Sequence, residues 1–541
     1  MLSGNACWST RETAGMSWRQ VGERRVLTFD TMPATYYMAL RTSAAAAPRT
    51  VAIIDDDGAM YTYERLLVLT DGVASSLWER FGIARGARVG LVLDTSIEYV
   101  CAFFACNKLG ATCVPLSTKY REDEVVSQVA CAHLDLLLLD TRFEVWDDHL
   151  AREAGNIVLV DRSRGFGLAT SDGPSPLNDD ASAVAAMLFT SGTTSRAKGV
   201  LLSKVGIMHA AVVYARLEGT TPADVTVIPV PIYHVTGLFA LLVQYVYAGA
   251  TVVLHARFNA RRVLEAVRDL GITHIHAAPT ALARLLELKD EFPALPSLRL
   301  ILTGSSTASA SLLRQWHGWL PTCTFKTVYG LTETSSPACV FPADAPTSVY
   351  IGSSGKPVPG MELDIVDEAG GSLPAGQVGE VLVRGTPVAL GYEFAEGSAG
   401  ALHAFSPDGW FRTGDMGYVN DEGLLWIVSR KKDVINRGGE KIWCCSLDEQ
   451  LRSIDGIVDA CVAGMPDDVY GEVACAAVVR GQGSGLDEDD VKALLKDRVA
   501  RFEIPERIVF VSEIPQTAGD KQDRRAVREL VLSAIQKEDK Q

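Results

Sequence analysis

The fold is decided by residues 88–115, which read RVGLVLDTSIEYVCAFFACNKLGATCVP. Residues 88–93 have the pattern of a buried strand, residues 97–109 read as a helix, and residues 111–115 read as the next strand. A strand, a helix and a second strand in this order predict a parallel β-sheet with its crossover helix packed on one face. The stretch therefore indicates the α/β class.

The same alternation recurs over much of the chain and extends this prediction to a whole domain. We expect a large N-terminal domain of parallel and mixed sheets flanked by helices. From about Gly352 onward, glycine and proline turns separate short strand-like runs, which predicts a β-rich subdomain. The recurring α/β patterns lie at 51–54, 63–81, 225–230, 251–255, 261–270 and 272–277, and the later strand-like runs lie at 361–366 and 379–384.

The length of 541 residues exceeds what one hydrophobic core usually holds, so the chain should form two or more domains. A charged cluster at residues 430–433 follows a predicted strand, and we place a boundary there. The prediction is an N-terminal domain over residues 1–430 and a small, mobile α+β domain over residues 431–541. The second domain should contain helices near 446–454 and 487–500.

Composition argues against several classes of function. The formal net charge of −15 disfavours a nucleic-acid groove, because phosphate backbones bind positive surfaces. Charged residues interrupt the N-terminal stretch and the apolar runs are too short to cross a bilayer, so we expect a cytoplasmic protein without a membrane span. The 11 cysteines lack metal-ligand spacing and should be reduced thiols. His274 and His276 flank Ile275 on a predicted strand, and we interpret them as core or pocket residues rather than as a metal pair.

The strongest local signal lies at residues 190–200, which read TSGTTSRAKGV and follow an apolar run. Hydroxyls, backbone N–H groups and a lysine in such a loop can wrap a polyphosphate, while glycine permits close approach. The order of lysine and glycine differs from that of a Walker A loop. The residues alone leave open whether this is a phosphate-binding loop or a polar surface loop. The candidate ligands are Thr190, Ser191, Gly192, Thr193, Thr194 and Lys198.

Further motifs follow in sequence, and together they carry a resemblance. They are PIYHVTGL at 231–238, GSS at 304–306, YGLTE at 329–333, WFRTGD at 410–415, NRGGEKI at 436–442 and PQTAGDKQDRR at 515–525. With the loop at 190–200, they resemble the motifs of the adenylate-forming superfamily, which includes acyl-CoA synthetases, luciferases and peptide-synthetase adenylation domains. The resemblance spans about residues 61–530. It implies an acyl-CoA ligase that activates a carboxylic acid with ATP and transfers the acyl group to coenzyme A.

The resemblance also implies roles in a nucleotide site. In the YGLTE motif, Tyr329 would stack on adenine next to Gly330, Thr332 would donate a hydrogen bond to the α-phosphate, and Glu333 would hold Mg²⁺. A metal ion and hydrogen-bond donors suit a reaction in which negative charge builds up on phosphate oxygens. Five other residues receive roles in the same way: Asp415 and Arg430 at the ribose, and Gly304, Ser305 and Ser306 facing adenine and the acyl group. His234 would gate the acyl site, although a plain buried histidine is an equal alternative.

In the C-terminal domain, the resemblance assigns Lys521 as the lysine that bridges the carboxylate and the α-phosphate during adenylation. Gly438 and Gly439 would line the tunnel for the pantetheine arm of coenzyme A after this domain rotates. Lys432 would be the hinge. The implied cofactors are therefore ATP or AMP, Mg²⁺ and coenzyme A.

The chain departs from the family pattern in ways that keep an alternative open. Ser195 stands where the family usually has glycine, Ala197 where it has proline, and Asp520 where glycine precedes the catalytic lysine. A carboxylate beside the lysine disfavours phosphate, so the alternative is a homologue that mainly forms the thioester from a preformed acyl-adenylate. A ligase that acylates a carrier protein, a silent binding protein and a luciferase-like oxygenase are less favoured. The sequence does not identify the acid, and it allows a homodimer.

Overall fold

The computed structural model of the protein describes residues 1–163, 166–190, 198–394, 404–481, 483–517 and 522–538. Its strands are β1 (Leu2–Ser3), β2 (Met16–Val21), β3 (Arg24–Phe29), β4 (Val51–Ile54), β5 (Met60–Thr62), β6 (Arg88–Val92), β7 (Thr112–Pro115), β8 (Leu136–Asp140), β9 (Ile157–Val160), β10 (Val184–Phe189), β11 (Lys198–Ser203), β12 (Val225–Ile228), β13 (Thr251–Leu254), β14 (His274–Ala277), β15 (Leu300–Thr303), β16 (Thr324–Tyr329), β17 (Cys339–Val340), β18 (Lys356–Pro357), β19 (Met361–Val366), β20 (Gly379–Gly385), β21 (Gly391–Phe394), β22 (Phe411–Val419), β23 (Leu425–Arg430), β24 (Ile435–Arg437), β25 (Glu440–Ile442), β26 (Ile457–Asp467), β27 (Gly471–Arg480) and β28 (Arg507–Val511).

The helices alternate with these strands over most of the chain. They are α1 (Gly4–Cys7), α2 (Thr10–Thr13), α3 (Tyr36–Ala46), α4 (Tyr63–Phe81), α5 (Ile97–Leu109), α6 (Glu122–Ala132), α7 (Asp147–Leu150), α8 (Lys204–Glu218), α9 (Gln244–Ala248), α10 (Ala260–Leu270), α11 (Pro279–Leu286), α12 (Ala310–Trp319), α13 (Cys444–Arg452), α14 (Glu488–Leu495) and α15 (Arg524–Glu538). A π-helical segment, Thr236–Val243, leads into α9.

Two large sheets carry the N-terminal part of the chain. Among the described residues, the first has seven strands in the order β21-β11-β10-β7-β6-β8-β9, and the second has nine in the order β18-β17-β16-β15-β14-β12-β13-β4-β5. Strands β7, β6, β8 and β9 are parallel, as are the six strands from β16 to β4. The predicted parallel and mixed sheets are confirmed.

Local sequence signals set the ends of the crossover helices. The side chain of Ser96 accepts a hydrogen bond from the Tyr99 N–H at the start of α5, and Gly110 closes that helix with φ 76°. Such caps satisfy backbone groups that a helix end leaves unpaired. Helix α5 is buried along its whole length, between the sheets, as its nearly continuous apolar sequence requires.

The β-rich subdomain is an antiparallel sheet with the order β1-β19-β20-β22-β23 among the described strands. The C-terminal part forms another sheet, β25-β24-β27-β26, in which β28 pairs with β27 in parallel. Its apolar core draws on residues from Ile435 to Ile508, whereas the two largest cores draw on residues from Phe29 to Leu425. This separation supports a boundary near residue 430, and the rotation of the small domain stays a prediction.

Two helices of the C-terminal part differ from their sequence-based expectations, and the first, α13, begins and ends two residues earlier than the expected 446–454. Helix α14 ends at Leu495, whereas the expected helix ran to residue 500. Leu495 is fully buried, and the next three residues are Lys496, Asp497 and Arg498. The next apolar residue, Val499, packs partly against the same core from outside the helix. No described helix is both long and apolar enough to cross a membrane.

Candidate active site

The carboxyl ends of neighbouring parallel strands bring several motif residues to one edge of the nine-stranded sheet. Strand β15 ends at Thr303, directly before the GSS motif, and β16 ends at Tyr329, directly before Gly330. Strands β15 and β16 pair in register, with Thr303 opposite Thr327. In open α/β sheets, ligands bind in the crevice outside this edge. The motifs therefore lie where a ligand site is expected.

Lys198, Glu333 and Tyr392 form a cluster that we call the lysine cluster. The Nζ atom of Lys198 lies 3.7 Å from Oε1 of Glu333 and 3.8 Å from the centre of the Tyr392 ring. The hydroxyl of Tyr392 donates a hydrogen bond of 2.8 Å to the same carboxylate oxygen. Burial lowers the pKa of Lys198 and outweighs the opposing effect of Glu333. The cluster thus holds a cation, a carboxylate and a hydroxyl in mutual contact.

Tyr392 was missed by the sequence analysis. It lies on β21, which pairs with β11 in the register Val200 to Tyr392 and Lys198 to Phe394. Residues two apart along a strand share one face, so Lys198 and Tyr392 are diagonal neighbours on that face. An isolated tyrosine after Gly391 carries no signal of this, because its partner strand lies almost 200 residues earlier in the chain.

Asp415, Arg430 and Tyr329 form a second group, the arginine cluster. Asp415 on β22 lies directly opposite Arg430 on β23, and Arg430 Nε is 2.8 Å from Asp415 Oδ1. The Tyr329 hydroxyl donates a hydrogen bond of 2.7 Å to Asp415 Oδ2. The backbone N–H of Asp415 in turn donates to the hydroxyl of Thr413 at 3.0 Å. Asp415 raises the pKa of Arg430, so this guanidinium keeps its charge.

The short segment 329–334 joins the two clusters. Tyr329 contributes to the arginine cluster, and Glu333, four residues later, contributes to the lysine cluster. The turn between them is tight: a Cβ atom at Gly330 would lie 1.4 Å from the carbonyl oxygen of Ser336, so only glycine fits. The two clusters also interact electrostatically. The charge of Arg430 helps to lower the pKa of Lys198, and the charge of Glu333 helps to raise the pKa of Arg430. The two clusters therefore belong to one site.

The remaining motif residues of the sheet edge lie around these clusters. Thr332 begins a single 3₁₀ turn that also contains Glu333. Gly304 is packed so closely that a Cβ atom there would lie 2.8 Å from the carbonyl oxygen of Val328, next to Tyr329. Ser305 adopts φ 70°, a left-handed conformation unusual for serine, and both Ser305 and Ser306 are exposed. This turn therefore presents hydroxyl groups at the mouth of the crevice.

His234 follows β12, whose carboxyl end lies in the same sheet. Its backbone N–H donates to the carbonyl of Pro231 at 3.2 Å, and its ring packs edge-on against Tyr233 with centroids 4.7 Å apart. The other two histidines of interest, His274 and His276, are buried in β14, and burial lowers the pKa of each to about 4. They are neutral core side chains at ordinary pH.

Several predicted site residues lie outside the described part of the chain. They are Ser191, Gly192, Thr193, Thr194 and Lys521, together with the departures at Ser195, Ala197 and Asp520. The flanking residues are described: the Thr190 N–H donates to the Lys198 carbonyl at 3.3 Å, and β10 and β11 pair antiparallel on either side of residues 191–197. Lys198, the first residue after 191–197, lies in the lysine cluster.

Gly438 and Gly439 form the turn between β24 and β25, with φ 58° and 99°. Tyr470 packs beside Gly438, and Arg437 lies over its ring at 3.9 Å. These contacts join residues of the C-terminal sheet to each other, and none of them involves the lysine cluster or the arginine cluster.

The side chains of this site suit a magnesium ion that is bound together with a nucleotide. The described residues contain no group of three or more His, Cys, Asp or Glu side chains that could hold a metal ion by themselves. Glu333 supplies one buried carboxylate in the lysine cluster. Mg²⁺ is commonly held by one or two carboxylates together with substrate phosphates and water, so one carboxylate is sufficient for a metal that arrives with a nucleotide.

Comparison with known proteins identifies matches over most of the chain. The family model described as AMP-binding enzyme matches residues 40–393, and the model described as AMP-binding enzyme C-terminal domain matches residues 446–521. Indoleacetate–CoA ligase of Aromatoleum aromaticum is 34% identical over 484 residues, which cover 87% of this chain and 93% of that protein.

Solved structures show the same fold. ATP-bound MatB from Rhodopseudomonas palustris has a TM-score of 0.84 at 26% identity, with 92% of this chain and 99% of that chain covered. O-succinylbenzoate coenzyme A synthetase from Bacillus subtilis, in complex with ATP and a magnesium ion, has a TM-score of 0.80 at 28% identity, with 90% and 98% covered.

Proposed function

Since this chain belongs to the AMP-binding enzyme family and its relatives are CoA ligases, we propose that it joins a carboxylic acid to coenzyme A in two steps, through an acyl-adenylate. In the first step a carboxylate oxygen attacks the α-phosphorus of ATP, and the bond to the leaving pyrophosphate breaks. In the second step the thiolate of coenzyme A attacks the acyl carbon, and AMP leaves.

One observation carries this proposal: segment 329–334 joins a cluster suited to phosphate with a cluster suited to ribose. In the lysine cluster, Lys198 supplies positive charge where the β- and γ-phosphates would lie. In the arginine cluster, the Asp415 carboxylate can accept hydrogen bonds from both ribose hydroxyls, while Arg430 holds its orientation. A nucleotide that spans the two clusters would have its α-phosphate beside Thr332, which lies between them in sequence.

Glu333 is the residue that would hold Mg²⁺ together with the phosphates. When bound, the ion would neutralise charge on the phosphate oxygens and favour the departure of pyrophosphate. Thr332 would donate its hydroxyl to an α-phosphate oxygen, and Tyr329 would lie against adenine. Gly304, Ser305 and Ser306 would border adenine and the acyl group, and His234 would border the acyl group from the neighbouring strand end.

We assign the remaining roles to the C-terminal part of the chain. Lys521 would bridge the carboxylate and the α-phosphate in the first step, because an ammonium group there offsets the charge that brings two anions together. Rotation about Lys432 would then bring the turn at Gly438 and Gly439 to the site, where two glycines leave room for the thiol arm.

The proposal is tested by measuring both half-reactions separately. ATP–pyrophosphate exchange reports the first step, and we would assay it with indole-3-acetate, o-succinylbenzoate and butyrate as chemically different acids. Formation of the CoA ester from the matching synthetic acyl-AMP reports the second step. Acid-dependent exchange is the expected result. Ester formation without exchange would show that the chain only uses a preformed acyl-adenylate, and absence of both together with absence of ATP binding would refute the proposal.

Lys521→Ala should slow exchange by at least a hundredfold, as expected for loss of one charge-stabilising group, while ester formation from acyl-AMP continues. Lys496→Ala removes an exposed lysine of the same part of the chain and serves as the control. Equal loss of both half-reactions in Lys521→Ala would contradict its assigned role. Asp520→Gly should increase exchange if the neighbouring carboxylate hinders the first step.

A further inference from the structure

Tyr392 is held in the lysine cluster by contacts of both its ring and its hydroxyl. The Nζ atom of Lys198 lies 3.8 Å from the ring centre, and two aromatic rings pack nearby. The Phe405 ring is 5.1 Å away and the Phe394 ring 5.7 Å away, centre to centre. The hydroxyl bonds Glu333. One side chain therefore touches both charged members of the cluster.

Hydrogen bonds of the backbone before Tyr392 also fix this arrangement. The Ala389 N–H donates to the carbonyl of Glu333 at 2.8 Å, and the Ser335 hydroxyl donates to the carbonyl of Pro387 at 2.8 Å. The Leu390 N–H donates to the carbonyl of Leu201 on β11 at 2.8 Å. The chain leading into β21 is thus bonded both to the segment that carries Glu333 and to the strand that carries Lys198.

The hydroxyl of Tyr392 acts as the hydrogen-bond donor in its contact with Glu333. An ionised carboxylate has no proton to donate, so the phenol O–H donates and the carboxylate accepts. The hydrogen bond is made to Oε1 of Glu333, and the Lys198 ammonium approaches the same oxygen. Both contacts fall on Oε1, so this oxygen anchors the carboxylate and Oε2 is the oxygen that a metal ion could use.

We propose that Tyr392 is a positioning residue for adenylation, which presents Oε2 of Glu333 to the magnesium ion and holds the Lys198 ammonium towards the phosphates. This inference rests on the proposed function, since it takes ATP and Mg²⁺ as the ligands of the site. The hydroxyl and the ring have separate tasks. The hydroxyl orients the carboxylate, and the ring holds the ammonium through a cation–π contact.

Two substitutions separate these tasks. Tyr392→Phe removes the hydroxyl and keeps the ring, and Tyr392→Leu removes both. The affinity for ATP is measured by isothermal titration calorimetry at a series of Mg²⁺ concentrations without any acid, so that binding is read without turnover. Tyr61→Phe, a tyrosine on edge strand β5, is the matched control, and thermal unfolding of each variant shows whether it is folded.

For Tyr392→Phe we expect the Mg²⁺ concentration at half-maximal ATP affinity to rise roughly tenfold, the size expected for a lost hydrogen bond to a charged group. For Tyr392→Leu we expect the same shift and a further several-fold loss of ATP affinity at saturating Mg²⁺, because the cation–π contact is gone. A purely structural tyrosine would lower the unfolding temperature and leave the Mg²⁺ dependence unchanged.

The outcomes distinguish this inference from the proposed function. If the wild-type protein binds ATP and Tyr392→Phe has the wild-type Mg²⁺ dependence, the positioning role is refuted and the proposed function stands. If Tyr392→Leu binds ATP as well as Tyr392→Phe at saturating Mg²⁺, the role of the ring is refuted. If the wild-type protein does not bind ATP, both are refuted.

Discussion

Lys198 shows what a single residue gains from its surroundings. Its ammonium group lies between a carboxylate and an aromatic ring, and burial lowers its pKa despite the nearby negative charge. A lysine with a lowered pKa loses its charge at a lower pH than a free lysine. Its contribution to binding a polyphosphate should therefore disappear as the solution becomes alkaline.

This leads to a prediction for Lys198→Arg. In the wild-type protein, the Kd for ATP should rise as pH increases from 7 towards 10, because Lys198 releases its proton in this direction. In Lys198→Arg the guanidinium stays charged, so the Kd should change much less over the same range. The measurement is calorimetric titration of ATP at several pH values. Parallel pH profiles for the two proteins would contradict the assigned environment of Lys198.

Some residues of the site could be identified from the sequence, and others could not. Tyr329, Glu333 and Asp415 each lie in a distinctive local motif, and the structure brings them into the two adjoining clusters, while their roles stay predictions. Tyr392 could not be found in this way. Its role depends on the pairing of β21 with β11, and pairing between distant strands is a tertiary property that local patterns do not encode.

Among the helices, two that have a side-chain cap at the start and a glycine at the end were predicted in full. Helices α4 and α5 have the predicted bounds, because Thr62 and Ser96 cap their starts and Gly82 and Gly110 end them. Helix α14 was predicted to end five residues too late, because Val499 continues the helical apolar spacing in the sequence but packs on the core from outside the helix. Ends that depend on tertiary burial are less predictable than ends set by a cap.

Helix α8 provides a prediction about an element. Its last residue, Glu218, is buried, and its carboxylate accepts a hydrogen bond of 2.7 Å from the Gln244 amide. Burial raises the pKa of Glu218 from 4.5 to about 8. Between these values the folded protein keeps a proton that the unfolded chain has released, so stability falls as pH rises through this window.

Glu218→Gln should remove this dependence, because an amide does not titrate. Relative to wild type, the variant should become more stable as pH rises from 5 to 8, by about 1.4 kcal/mol per pH unit at most. Thermal or urea unfolding of both proteins at pH 5, 6, 7 and 8 measures the difference. A difference in stability that stays constant with pH would show that the carboxyl group is not held protonated.

At the scale of the whole molecule, the α/β class and the order of the parts followed from the sequence, and the chain's membership of the AMP-binding enzyme family agrees with them. Separate apolar cores on either side of residue 430 fit two units that can move as bodies. Local patterns could not predict which side chains of the C-terminal part meet the rest of the molecule, because contacts between distant residues are a tertiary property. Lys441 and Glu368, 3.3 Å apart and both exposed, are one such pair.

The central claim is that a carboxylate attacks the α-phosphorus of ATP at the site formed by the lysine and arginine clusters. The most direct test uses the acid that supports the fastest exchange, labelled with ¹⁸O in its carboxyl group, with ATP, Mg²⁺ and coenzyme A. Mass spectrometry of the products then follows the label. One labelled oxygen in AMP and none in pyrophosphate is the predicted result, whereas ADP with label in inorganic phosphate, or AMP without label, would contradict the claim.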